Sequence, residues 1–306
     1  MGIIISIVLS FLFILGSSFA AEIKFGIETS KEDIIQWVDN ASKVSFGYKY
    51  TPVKVDNPTA AIISLRAKQT DFTLLDSGSI ASLPRRRLRE LRSVSAIPQY
   101  LHIATLTEKG IVNLFHLRRR VVSLGPKGGE SETAAKDLFK AMGVRITKDI
   151  TCKHFDLKKQ PEQLDKGKDE EGIDAFIELA GLPSTNISDV GEDLCLIPIP
   201  ANIVTKMAQI SGTPYRSGHI KLENYLPEKK EEIPTAIAYI YVLSPLSIDE
   251  RKVDNMVYTF TLIGLRQMNY DDALISTVYP LRDISNLMPI HPYVRKTFID
   301  RPIPFR

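Results

Sequence analysis

The segment Gly125-Pro-Lys-Gly-Gly-Glu-Ser131 holds residue types suited to grasping an anion. Main-chain N–H groups at a helix start, helped by a hydroxyl, can hold a carboxylate or phosphate without any metal. Gly125, Gly128 and Gly129 let the chain turn tightly and approach a ligand closely, while Lys127 supplies a positive charge and Ser131 a hydroxyl. Two shorter sets, Thr29-Ser30 and Asp76-Ser77, are polar residues just beyond predicted strands. In open α/β sheets ligands bind at the carboxyl ends of strands, so both sets are site candidates. Capping of the next helix is the competing role for each hydroxyl and carboxylate.

The other chemistry-bearing residues form no catalytic pattern. His102, His116, His154, His219 and His291 are scattered, and no Cys/His group has metal-ligand spacing. Paired acid and base groups are not legible, so the reading is a binding protein with no cofactor and no metal, and not an enzyme. Arg85, Arg86, Arg87, Arg89 and Arg92 form a short basic run without interleaved aromatics, which reads as a solvated face. A net charge of +3 with that run gives no case for nucleic acid. Cys152 and Cys195 each fall in a separate predicted strand and read as separate thiols.

The elements that must position these residues follow from periodicity. Val121, Val122 and Leu124 form a buried strand entering the glycine turn. Beyond it Ala134, Ala135, Leu138, Phe139 and Met142 recur at helical spacing, with Ser131 and Thr133 placed to cap the start and Gly143 as a stop. Upstream, strands over Glu22–Ile27, Phe46–Val55 and Asp71–Leu75 alternate with helices carrying Ile34 to Val38 and Ala61 to Leu65. Strand structure over Leu91–Leu106 is expected to break at Pro98. Further strands are predicted at Ile150–Phe155, Ile173–Leu179, Leu194–Ile199 and Thr235–Leu243, and a long helix over Asp249–Met268.

The chain opens on an apolar run, Ile3 to Leu15, followed by Ser18-Phe-Ala20, a small-x-small cleavage pattern. Residues 1–20 therefore read as a signal peptide and the protein as periplasmic. No Lys or Arg precedes the run, so an uncleaved anchor is the alternative. The remainder is long enough for two α/β lobes, the first over 21–107 with 233–306 and the second over 108–232, with a ligand cleft expected between them.

Several stretches resemble the TAXI group of periplasmic solute-binding proteins of TRAP transporters. They are Leu101-His-Ile, Val121-Val-Ser-Leu-Gly-Pro-Lys-Gly-Gly-Glu-Ser-Glu, Asp174-Ala-Phe-Ile-Glu-Leu-Ala-Gly-Leu-Pro-Ser184 and Ile290-His-Pro. The resemblance implies a periplasmic-binding-protein fold of the type II-like kind that captures a small carboxylate-bearing solute, a dicarboxylate or amino-acid-like compound. It would hand that solute to TRAP-type membrane permease subunits. By position Ser131 takes the family's hydroxyl, Gly128 matches a glycine, Gly129 stands where Ser is usual, Ser77 matches a small polar residue and Tyr225 falls near an aromatic. The departures are acidic: Glu28, Asp76 and Glu130 add charge that repels an anion unless it faces away or binds an amine. A sensory or partner-binding ectodomain on the same fold is the alternative function.

Overall fold

The computed structural model describes residues 21–29, 32–43, 45, 47–166, 172–265, 281 and 287–300. The expected signal peptide and Ser30 lie outside these residues. Elements in chain order are β1 Ala21–Glu28, α1 Glu32–Ser42, β2 Tyr48–Val55, α2 Pro58–Arg66, β3 Phe72–Asp76, α3 Ser77–Ser82, α4 Arg85–Leu88 and β4 Leu91–Leu106. They continue with β5 Val121–Ser123, α5 Glu130–Ala141, β6 Thr151–Lys153, α6 Gln160–Asp165, β7 Ala175–Ala180, α7 Thr185–Ser188 and β8 Leu194–Leu196. The last are α8 Ala201–Ser211, β9 Arg216–Lys221, β10 Glu232–Pro245, α9 Glu250–Leu265 and α10 Pro292–Val294. Among the described residues no helix is long and apolar enough to cross a membrane.

By internal contacts the chain forms two units, one of residues 1–75, 84–95 and 242–306 and another of residues 76–83 and 96–241. Both are α/β, the class expected from the sequence. In the first, β1 runs parallel to β2 on one side and to β3 on the other. The β-branched and aromatic residues of these strands make its core: Phe25 stacks on Phe72 at 5.3 Å and meets Tyr50 at 5.2 Å between ring centres. Asn57 caps α2 by accepting from the Ala60 N–H at 2.9 Å, with Pro58 at the first helical position, as such a pair predicts.

In the second unit the strand order is β9-β10-β4-β7-β5-β6, with β8 also on β4. β4 and β7 are antiparallel, with Leu101 opposite Leu179 and His102 opposite Glu178. β5 is parallel to both β7 and β6. Side chains alternate between the two faces. Leu101, Ile103 and Ile177 pack with α5 and α8, while Ala104 and Phe176 pack with Leu222 on the other side. The expected break at Pro98 does not occur, since β4 is continuous over 16 residues. Pro98 precedes Tyr100, where pairing with β7 begins, so its missing N–H costs that ladder nothing. Cys152 and Cys195 are free thiols, and burial raises the pKa of each.

Candidate functional site

β5 feeds the glycine turn and α5 leaves it. Gly125 and Gly128 have φ of +77° and +81°, which side chains disfavour. A Cβ on Gly125 would also come within 3.0 Å of Ser131 Cβ, so the turn and the helix start are packed against each other. The N-cap of α5 is Gly129, which brings no side chain to the first-turn N–H groups. The expected cap at Ser131 is thus not the one observed. Ser131 sits inside the first turn, and its Oγ accepts from the Leu179 N–H of β7 at 3.0 Å. A hydroxyl that accepts there still has its own proton to donate.

The turn is braced by a carboxylate from the first turn of α5. Glu132 is buried, and its carboxylate accepts from the Gly128 N–H at 2.6 Å and from Lys136 at 2.7 Å. The Lys136 bond, with smaller contributions from the Gly128 N–H and His154, holds its pKa below the ordinary carboxylate value against the opposing effect of burial. His154 donates from Nδ1 to the Gly125 carbonyl at 3.2 Å and brings Nε2 within 3.7 Å of Glu132. Glu132 occupies the third helical position, from which a Glu reaches back to main-chain N–H groups before the helix. That spacing is the signal that could have revealed it.

At α3 the N-cap is Asp76. Its Oδ1 accepts from the Ser79 N–H at 2.7 Å and its Oδ2 from the Ser79 hydroxyl at 2.5 Å. Ser77 is 1% exposed at the first helical position. Thr213 lies beside this start, 3.6 Å from where a Cβ on Gly78 would be. Two residues on, the buried Tyr215 donates to Asp137 Oδ2 of α5 at 3.0 Å. Burial raises the Tyr215 pKa first, and Asp137, Asp76 and Glu130 raise it further by their charges. Burial likewise raises the pKa of Asp137, against the hydrogen bond from Tyr215. The 213–215 segment thus runs from beside the start of α3 to Asp137 in the body of α5, and the charges of Asp76 and Glu130 act on the Tyr215 hydroxyl.

This places the candidates. Asp76 and Ser77 at the start of α3, and Gly128, Gly129 and Ser131 at the start of α5, all fall in the second unit, with Lys127 exposed on the glycine turn. Thr29 is an exposed turn residue of the first unit, where its N–H donates to Val55. Tyr225 does not join the turn. It lies on the opposite sheet face, with its ring edge-on to His102 at 5.8 Å. There its hydroxyl accepts from the Ser184 N–H at 3.0 Å and reaches His102 Nε2 at 2.8 Å. Ser184 in turn donates to Glu178 Oε1 at 3.0 Å, which also accepts from Asn186 at 3.1 Å. Thr213, Tyr215 and Asp137 were missed, because nothing local in the sequence says which helix starts a distant extended segment will touch. Among the described residues no His, Cys, Asp and Glu group could hold a metal ion.

Residues 77–262 match the NMT1-like family, a span from the start of α3 into α9. The chain belongs to the NMT1-like family. The matched span includes the glycine turn, α5 and the Thr213–Tyr215 segment. No curated protein matches the chain. Among solved structures it is similar to the periplasmic aliphatic sulphonate binding protein SsuA from Escherichia coli, at 11% identity over 92% of this chain and 84% of that one, with a TM-score of 0.43. It is also similar to an ABC transporter structure from Parabacteroides distasonis, at 12% identity over 91% and 85% of the two chains and a TM-score of 0.43. A third is the CcmR regulatory domain of Synechocystis PCC6803 in complex with 2-PG, at 10% identity over 79% and 97% and a TM-score of 0.47.

Proposed function

We propose that the protein is an exported solute receptor of the type II-like periplasmic-binding-protein kind, which captures a small carboxylate-bearing solute for a TRAP-type permease of the TAXI group. It would do no catalysis. Membership of the NMT1-like family over residues 77–262 supports a receptor, and the TAXI motifs quoted above support the permease class. The observation that carries the ligand reading is the 213–215 segment, which lies beside the start of α3 at Thr213 and bonds through Tyr215 to Asp137 of α5. A site with helix-start N–H groups on one side and carboxylates on the other suits a solute bearing both charges. We therefore favour the amino-acid-like solute over the dicarboxylate. Its carboxylate would sit at the Gly129–Ser131 turn, with the Ser131 hydroxyl donating. Its amine would sit beside Asp76 and Glu130, and Lys127 would draw the solute's carboxylate in from solvent.

Thermal denaturation and titration calorimetry of the chain from Ala21 on, against dicarboxylates, acidic and neutral amino acids and polyamines, test this. A ligand that binds only the folded state raises the melting temperature by mass action. An amino acid should give the largest rise. Asn is as good a helix cap as Asp, so Asp76→Asn should fold normally while costing affinity about 2 kcal/mol, the scale of one charge-assisted hydrogen bond. Tighter dicarboxylate binding by that variant would show that Asp76 repels anions and holds no amine. No response to any compound by well-folded protein would remove the receptor reading.

A further inference from the structure

The first unit carries a charged surface that the solute site does not use. Thr59, Ile63 and Arg66 of α2 recur at spacings of four and three and share one helix face. α4 lies against that face: Arg87 donates to the Thr59 hydroxyl at 2.6 Å, and Arg66 donates to the carbonyls of Arg86 at 3.3 Å and Arg87 at 3.1 Å. Ile63 is left 61% exposed between those two contact points. Arg85, Arg86 and Arg89 are exposed as well. Arg92 Nη1 is held on the carbonyls of Arg89 and Leu91 at 2.9 and 2.7 Å. Carbonyls and a hydroxyl fix these guanidiniums without cancelling their charge. Among the described residues none of these arginines is in a salt bridge. Residues 57–70 and 84–92 together contribute Arg66, Lys68, Arg85, Arg86, Arg87, Arg89 and Arg92 against the single carboxylate of Glu90. Asp71, just before β3, is paired with Lys252 at 2.6 Å.

We propose that this patch is a docking surface for an anionic phospholipid bilayer, with Ile63 entering the headgroup layer and the surrounding arginines on lipid phosphates. A cluster of this size with little opposing charge has the composition that binds acidic lipid. Guanidiniums bind phosphate oxygens through two parallel bonds, and their apolar stems can lie along a lipid surface while the charged heads stay wet. A protein interface of comparable extent would be expected to centre on aromatic and apolar residues, whereas here one aliphatic side chain stands among charges. The contact would hold the receptor near the membrane without an anchor.

Co-sedimentation of the chain from Ala21 on, which holds every described element, with phosphatidylglycerol vesicles tests this against phosphatidylcholine vesicles. Binding should require the anionic lipid and should fall steeply from low to physiological salt. The exposed triple variant Arg85→Gln, Arg86→Gln, Arg89→Gln, whose side chains make no described contact, should keep its melting temperature and lose affinity on the order of 100-fold. Ile63→Ser should weaken binding by a smaller factor without altering the salt dependence. Failure to bind anionic vesicles at low salt overturns the proposal, as does equal binding to both lipids. Vesicle binding that the triple variant leaves intact would also overturn it, and would leave the patch to an acidic protein partner.

Discussion

The two faces of the second unit's sheet use polar side chains in opposite ways. On the face covered by α5, the polar groups lie on or beside helices at the rim: Ser131, though buried, in the first turn of α5, and Asp137 half-buried against Tyr215, with Asp76 capping α3 in the same unit. On the other face lies a connected set, His102, Glu178 and Ser184 in the core and Tyr225 partly buried over them, each bonded to the next or sharing a bond with it. A group at a helix start with a proton or lone pair to spare can take a ligand without giving up its partner. A group whose partners are all in the core cannot, because a partner lost in the interior is not replaced by water. The difference separates residues that can serve a site from residues that hold the sheet pair β4–β7 in register.

The sharpest way to break this contrast is at Glu178, which is 2% exposed. Glu178→Ala removes the acceptor of both Ser184 and Asn186. We expect a loss of about 3 kcal/mol in urea denaturation, with both donors stranded, and no comparable loss for rim substitutions. A cost no larger than that of Ser131→Ala would erase the distinction between the faces.

His102 sharpens it through pH. Burial lowers its pKa from 6.5 to about 4, opposed by bonds to main-chain groups at Tyr100 and Glu178. The imidazole is thus neutral in the folded state, and Nε2 accepts the Tyr225 proton while the Tyr225 oxygen accepts from Ser184. The unfolded chain binds a proton more readily than the folded one. Stability from this group is therefore complete above about pH 6.5 and lost as pH falls toward 4, an amount of about 3 kcal/mol. Denaturation midpoints between pH 7 and pH 4 should drop in the parent and drop less in His102→Gln. An identical slope in both would place the acid sensitivity elsewhere.

Tyr225→Phe keeps the ring on His102 and removes the hydroxyl. It should cost about 1–2 kcal/mol of stability and leave solute affinity unchanged, because Tyr225 stands on the face away from the glycine turn. The sequence could not show this. Resemblance put Tyr225 near an aromatic of a crossing segment, but which sheet face it would cover depends on the chain's return from β9 to β10. Local rules carried further elsewhere. Asn57-Pro58 announced α2, the run Val121–Leu124 announced β5, and Gly143 at φ +69° ends α5 as its spacing foretold. The β4 residues also follow the period of two that divides Leu101 and Ile103 from His102 and Ala104. What stayed illegible were long-range partners. Tyr215 finds Asp137 across 78 positions, and no pattern at either end encodes the other.

Ser131→Ala has the smallest expected effect and tests the rim side of the comparison most directly. The hydroxyl accepts from Leu179, so its loss should lower stability by about 1 kcal/mol, the net scale of one hydrogen bond. The proton it retains is the part a solute carboxylate would use, and losing that should weaken binding by a similar amount, about five-fold. Urea denaturation reads the first quantity and calorimetric titration with the best ligand reads the second. A stability loss with unchanged affinity would reduce Ser131 to a brace between α5 and β7, and make the rim face structural at this position like its opposite. A loss of both would mean that one hydroxyl serves the sheet with its lone pair and the solute with its proton, a division of roles open only to a group at the rim.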